Sequence, residues 1–219
     1  MAGEARRHRG VFISFEGGEG CGKSTQVRRL LQRLGENAQD VLPVREPGGT
    51  AVGEVIRHLL QHTPEAANMT AESELLLFAA SRAQLVREKI RPALAAGCHV
   101  VADRFWDSTT VYQGAGRQLA AQAVAFINRF AVGDCVPDIT FLLDIPVTDG
   151  LARARSRTGV PDRMEAAGTA FHEAVREGYL MLAAENPDRI VRLDATRDAD
   201  SLADAIRQTL TERFYGVFR

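Results

Sequence analysis

Lysine is nearly absent from this 219-residue chain: of the 27 basic residues 25 are Arg, and only Lys23 and Lys89 are Lys. That scarcity excludes a guanine-reading N-K-x-D segment, because Lys23 stands between Gly22 and Ser24 and Lys89 between Glu88 and Ile90. The usual regulatory-GTPase reading is thereby removed. Cysteine is scarce too. Cys21, Cys98 and Cys135 are an odd number, far apart, with no C-x-x-C pair, which excludes a disulfide framework and a thiolate zinc site and points to a reducing, cytoplasmic setting. Net charge is almost nil at −1, so the chain is no polycation built to coat nucleic acid, and no nucleic-acid partner is expected. Long apolar runs are missing as well. None approaches the roughly 20 residues of a membrane span, and no membrane partner is expected. Residues 1–10 carry Arg6, Arg7, His8 and Arg9 but lack the apolar stretch and small-residue cleavage site of a signal peptide. They read as a disordered basic tail ahead of one domain over 11–219.

What is present is an alternation. Short runs rich in Val, Ile, Leu and Phe fall at 11–15, 41–45, 99–102, 139–144 and 189–193, without polar alternation, as in strands buried on both faces. Helical stretches lie between and after them at 23–34, 52–61, 70–96, 118–132, 147–157, 166–184 and 199–214. This order predicts an α/β fold with a five-stranded parallel sheet flanked by helices, and a ligand beyond the carboxyl ends of the strands.

Directly after the first strand run comes Gly17-Gly18-Glu19-Gly20-Cys21-Gly22-Lys23-Ser24, which satisfies G-x-x-x-x-G-K-[ST] in the required strand–loop–helix context. Glycines let the backbone wrap an anion and turn its N–H groups inward at a positive helix end. Lys23 would reach the β- and γ-phosphates of a nucleoside triphosphate and the Ser24 hydroxyl would ligate Mg²⁺. The fold implied is that of the P-loop NTPases. The third strand run ends in Asp103-Arg104, a carboxylate for Mg²⁺ and a guanidinium for a phosphate. A second phosphate-sized turn, Arg45-Glu46-Pro47-Gly48-Gly49-Thr50, follows the second run. Arg153, Arg155 and Arg157, spaced by two, do not share one helix face, and with Arg163 they suggest a mobile arginine-rich lid at about 153–165 that closes over transferring phosphates. Two anion clusters point to a small kinase with a second bound substrate. A non-catalytic ATP-binding switch remains the alternative from another class. His58 and His62 are four apart, but no third ligand joins them, so zinc is not expected.

Several segments in order resemble the thymidylate kinase family of nucleoside monophosphate kinases, over nearly the whole chain from Phe15-Glu16-Gly17 to Asp194-Ala195-Thr196. They are the phosphate loop, Arg45–Thr50, Glu74–Arg82, and above all the run Asp103-Arg104-Phe105-Trp106-Asp107-Ser108-Thr109-Thr110-Val111-Tyr112-Gln113-Gly114. The resemblance implies ATP and Mg²⁺ as cofactors and dTMP as acceptor, with another nucleoside monophosphate as the alternative acceptor. It implies cofactor contacts from Gly17, Gly18, Glu19, Gly20, Cys21, Gly22, Lys23, Ser24 and Thr25. On the acceptor side Phe78 would stack on the thymine, Arg82 would bind its O4 edge, and Thr109 and Gln113 would complete base recognition. Tyr112 would pack on the sugar, Glu19 would take the 3′-hydroxyl, and Arg45, Pro47, Arg104 and Ser108 would line the rest of the acceptor site. Gly20, with arginines in the lid, resembles the bacterial-type arrangement, which puts Lys23, Arg104, Arg153 and Arg157 in catalytic roles and Ser24 and Asp103 at the metal. The family also implies a homodimer, with 70–96 and 118–132 as interface helices.

Overall fold

Alternation along one strand decides the layers. In β1 (Phe12–Glu16), Ile13 and Phe15 share one face of the sheet while Phe12, Ser14 and Glu16 share the other. The computed structural model, which describes residues 9–156, 164 and 167–218, buries all five of these side chains. The remaining strands are β2 (Val41–Arg45), β3 (His99–Asp103), β4 (Ile139–Asp144) and β5 (Ile190–Asp194). All pair in parallel in the order β2-β3-β1-β4-β5, which is the expected five-stranded sheet.

The strands expected to be covered on both faces are so only in the middle of the sheet. β1 and β4 are fully buried, whereas β2 and β5 are edges with exposed positions. Pro43 lies on β2, where a strand with one neighbour tolerates a residue that cannot donate. The Ile13–Phe15 face packs on α1 (Lys23–Glu36) and α9 (Ala199–Arg213) through Val27, Leu30, Ile206 and Leu210. The Phe12 face packs on α3 (Ala71–Leu85) and its continuation, a π-helical turn at Val86–Ile90 leading into α4 (Arg91–Ala95). The single helix expected over 70–96 is thus three joined segments. Thr50, Thr70 and Asp198 accept backbone N–H groups at the starts of α2 (Ala51–His62), α3 and α9, satisfying donors that a helix N-terminus leaves open.

Much of the chain between β3 and β5 is helical. A short helix, α5 (Trp106–Thr109), runs into a π-helical segment at Thr110–Gly116, although the residues there carry no helical pattern of their own. α6 (Ala121–Val132) comes next, three residues later than expected at its start. After β4 comes α7 (Val147–Arg155), and α8 (Thr169–Glu185) precedes β5. Residues 1–8 of the basic tail lie outside the described residues, as do 157–163, 165–166 and 219. Arg9 pairs with Asp138 and the Gly10 N–H donates to the Leu94 carbonyl.

Strand register sets the site. Phe15 of β1 and Arg45 of β2 are both level with Asp103 of β3, so the three chain exits leave the sheet at one height. On its other side β1 pairs with β4, where Phe15 stands opposite Phe141 with ring centroids 5.4 Å apart and neither ring exposed. Phe141→Ala is expected to cost about 3–5 kcal/mol of unfolding free energy, read from the midpoint of a urea denaturation curve at unchanged slope.

Candidate active site

β1 ends and the chain turns at once into the phosphate loop, which caps α1. Lys23, at the start of that helix, is almost fully buried, and its ammonium donates to the carbonyls of Gly17 (3.0 Å) and Gly18 (2.7 Å). The loop lies backbone-to-backbone on α7. A side chain at Gly20 would meet the Gly150 carbonyl oxygen at 2.0 Å, and one at Gly150 would meet the Glu19 carbonyl at 2.4 Å. With a φ of +67° as well, position 20 admits only glycine, and no cation can be carried at that point of the loop. Cys21 turns its side chain inward among Leu143, Ile145, Ala195 and Leu202, leaving only its backbone N–H for a phosphate.

A cavity of 470 Å³ opens in front of the loop. On one side it is lined by Gly20, Gly22, Lys23, Ser24, Thr25 and Asp103; on the other by Arg45, Pro47, Phe78, Arg82, Arg104, Ser108, Thr109, Tyr112 and Gln113. Glu19 lies on the wall of the same cavity, and Arg153 borders it while donating to the Ala195 carbonyl at 2.9 Å. Gly17 and Gly18 instead line a small void of 20 Å³ beneath the loop, beside His172 and Arg176. Arg157 and Arg163 lie outside the described residues, and with them most of the lid expected at 153–165.

Each side of the cavity has its own electrostatics. The Ser24 hydroxyl donates to Asp103 Oδ2 at 2.7 Å, putting a hydroxyl and a carboxylate together at the positive end of α1. Glu19 accepts from Arg104 at 2.7 Å and from the Tyr112 hydroxyl at 3.0 Å. Burial alone would raise its pKa, but Arg104 and Lys23, helped by Tyr112, outweigh it and hold the carboxyl at about 2. Glu19 is therefore an ionised acceptor throughout the working pH range. Arg104 stands in the left-handed region at φ +69°, a conformation that costs a non-glycine residue on the order of 1 kcal/mol. Its guanidinium lies 5.1 Å over the Tyr112 ring.

Arg82 is only 1% exposed and makes a buried ion pair with Glu46 at 2.6 Å, while donating to Asn128 (2.9 Å) and Thr109 (2.9 Å). Gln113 donates its amide N–H to Glu74 at 2.7 Å, and Glu74 also pairs with Arg117. Phe78 is half-buried on the cavity wall rather than part of the core. Arg45 is paired with Glu54 at 3.0 Å.

Several cavity residues were missed from the sequence alone. Glu46, Arg57 and Gln61 line it, and Arg57 donates to the Pro47 carbonyl at 3.0 Å. The four-residue spacing of Arg57 and Gln61 on α2 was the available signal, since it puts both on one face. Glu16 was missed too. It is fully buried and accepts from the Phe105 N–H (2.7 Å) and from the hydroxyls of Ser108 (2.6 Å) and Tyr179 (2.7 Å). Burial, and then the nearby Asp107 carboxylate, push its pKa up to about 7 against the opposing pull of Ser108, Arg104 and Tyr179.

A carboxyl whose folded pKa is raised favours the fold while protonated, and that contribution is lost as pH rises through the folded value. In Glu16→Gln the amide oxygen can accept from Phe105 and the NH₂ can donate to both hydroxyls, with no charge to bury. Its melting temperature is expected to gain on that of the parent steadily as pH rises from the ordinary carboxyl value of 4.5 to about 7, and to level off above that; calorimetry from acid to mildly alkaline pH checks it.

The chain matches the family model for thymidylate kinase over residues 15–206. It is 44% identical over 214 residues to the thymidylate kinase of Afipia carboxidovorans, an alignment covering 97% of this chain and 93% of that one. With the thymidylate kinase of Chlorobium chlorochromatii it shares 48% identity over 202 residues, 88% of this chain and 90% of the relative. The crystal structure of thymidylate kinase from Ehrlichia chaffeensis superposes with a TM-score of 0.75 at 33% identity, covering 93% of this chain and 99% of that one. Fold, loop and cavity agree with these likenesses, and the chain belongs to the thymidylate kinase family.

Proposed function

We propose that this chain transfers the γ-phosphoryl group of ATP to dTMP, yielding ADP and dTDP. The observation that carries the reading is one cavity with two anion-binding halves, Lys23, Ser24 and Asp103 on one side and Arg45, Arg57 and Arg104 on the other. A nucleotide switch needs only the first half.

The acceptor is a phosphate oxygen already ionised near neutrality, so no general base is required. What must be overcome is repulsion between two polyanions brought into line. A dTMP phosphate oxygen bonds to the γ-phosphorus as the bond to the β,γ-bridging oxygen breaks, and ADP leaves with that electron pair. Lys23 and the N–H groups from Glu19 to Thr25 hold the donor. Arg104, with Arg45 and Arg57, holds the acceptor phosphate. Phe78 stacks on the base, whose polar edge meets Arg82, Thr109 and Gln113, and Glu19 accepts the sugar 3′-hydroxyl. Pro47, Ser108 and Tyr112 shape the walls around it. The lack of room for a side chain at Gly20 supports the reading in which the cation that meets the transferring group is Arg153, on α7, or Arg157, which lies outside the described residues.

The donor set suits Mg²⁺. Ser24 and Asp103 offer one hydroxyl and one carboxylate, and among the described residues no cluster of three His, Cys, Asp or Glu could form an all-protein cage. Few protein ligands, completed by phosphate oxygens and water, are what this ion accepts. When bound, it neutralises charge on the β- and γ-oxygens.

A dTMP-dependent release of ADP, abolished by EDTA and faster with dTMP than with UMP, CMP or AMP, is expected in a coupled assay. Lys23→Ala should lower kcat by about 10²-fold or more while the protein stays folded. Near-normal turnover in that variant would sink the mechanism.

We further propose a homodimer. α3 packs between α2 and α6, and their outer faces leave large apolar side chains bare: Phe126 is 73% and Phe130 75% exposed, four residues apart on α6, with Leu76 on α3 and Val55 on α2 also exposed. An apolar set of this kind on adjacent helices fits burial against a second copy. Sedimentation velocity should give a dimer at micromolar concentration and a monomer for the Phe126→Glu, Phe130→Glu double variant.

A further inference from the structure

Glu16 is a fully buried carboxylate at the root of the phosphate loop that the reaction does not use. Three donors from separate parts of the fold converge on it. The Phe105 N–H comes from the turn after β3, the Ser108 hydroxyl from α5, and the Tyr179 hydroxyl from α8, at 2.7, 2.6 and 2.7 Å. The first of these belongs to the residue immediately after Arg104, whose φ of +69° is left-handed. The second is itself in contact with the Arg104 guanidinium, at 3.4 Å. Upstream, the Arg104 N–H donates to the Phe15 carbonyl at 3.0 Å, so the turn is held from both sides by consecutive residues of β1.

Left-handed backbone in a residue with a Cβ persists only where its surroundings over-determine it. Here the determinants are the Phe15 carbonyl before the turn and the Glu16 carboxylate after it. We propose that Glu16 is a positioning residue for acceptor binding: by accepting from Phe105 and Ser108 it fixes the turn that aims the Arg104 guanidinium, and through Tyr179 it fastens that turn to α8. The charged and titratable groups facing it are Arg104 and Asp107 from the β3 side and Tyr179 from α8; Asp107 is engaged by Arg189 at 2.6 Å. None of them can replace its acceptor oxygens toward the Phe105 N–H.

The inference rests on the assignment of Arg104 to the acceptor phosphate, and its test separates the two. Glu16→Asp keeps the charge but withdraws the carboxylate by one methylene, too short to serve Phe105 and Ser108 together. Glu16→Gln keeps the reach and removes the charge. The Asp variant should raise the KM for dTMP about fivefold or more, the loss of one well-made hydrogen bond, with the KM for ATP within about twofold of the parent. The Gln variant should stay within about twofold of the parent for both substrates. An unchanged dTMP KM in the Asp variant overturns the proposal. So does an equal rise for both substrates, or a Gln variant as impaired as the Asp one, which would make charge rather than reach decisive. Amide hydrogen exchange supplies a check that needs no variant: the Phe105 N–H should be strongly protected in the parent protein, and fast exchange there overturns the proposal on its own. Arg104→Ala serves as the reference. If it leaves the dTMP KM unchanged, the assignment of Arg104 fails, whatever the Glu16 variants do.

Discussion

The parallel register of three strands governs everything else in this molecule. With Phe15, Asp103 and Arg45 level across β1, β3 and β2, the chain leaves the sheet three times within one small region. Each exit carries different chemistry: glycines and Lys23 from β1, a carboxylate suited to a metal and an arginine from β3, a Pro-Gly-Gly turn with another arginine from β2. A slip of one residue would turn every side chain of the moved strand to the opposite face and misplace its exit by about 3 Å. The buried aromatic and aliphatic contacts below the strand tips prevent that slip. In this sense the hydrophobic core is a precision part of the site.

Guanidinium groups around the cavity are held rather than free. Nearly every arginine there is aimed by an acceptor: Arg45 by Glu54, Arg82 by Glu46 and Asn128, Arg104 by Glu19 and the Gly17 carbonyl. A planar fork fixed in this way is pre-organised, so less freedom is lost when a phosphate or a pyrimidine arrives. The carboxylates do more than balance charge. They keep a strongly cationic pocket from collapsing into alternative contacts. Burial differs sharply among these pairs, from Arg82 and Glu46, sealed from solvent, to Arg45 and Glu54, both about half exposed. The deep pair is closed to solvent in the cavity wall, whereas the shallow one stays open to it.

Much of this was legible in the sequence. Short apolar runs marked all five strands to within a residue or so, and the glycine spacing before Lys23 marked the phosphate loop without ambiguity. What stayed hidden was whatever depends on tertiary partners. Glu16 reads as the first residue of a loop, and only the alternation Phe12, Ser14, Glu16 places it on a buried strand face. The helical stretch from Trp106 to Gly116 contains Thr109, Thr110 and Val111 in a row and closes on Gly114 and Gly116, a local preference against helix that packing on α6 and α8 overrides. Edge and central strands looked alike because the runs are equally apolar, and the order of strands in the sheet is not written in any one of them. Cys21 sits within the loop motif, yet its side chain points to the core, since a motif records backbone positions and not directions.

The near-absence of lysine has a practical side. Its two ε-amines differ in surroundings: Lys23 is buried under loop carbonyls, while Lys89 stands exposed on the outer side of the π-helical turn between α3 and α4. An amine-directed reagent therefore finds, besides any α-amino group, essentially one accessible side chain, and it lies outside the cavity. A fluorophore or surface linker could be attached at Lys89 in defined orientation, leaving the chemistry at the strand tips untouched, a selectivity that most proteins obtain only after their surface lysines have been engineered away.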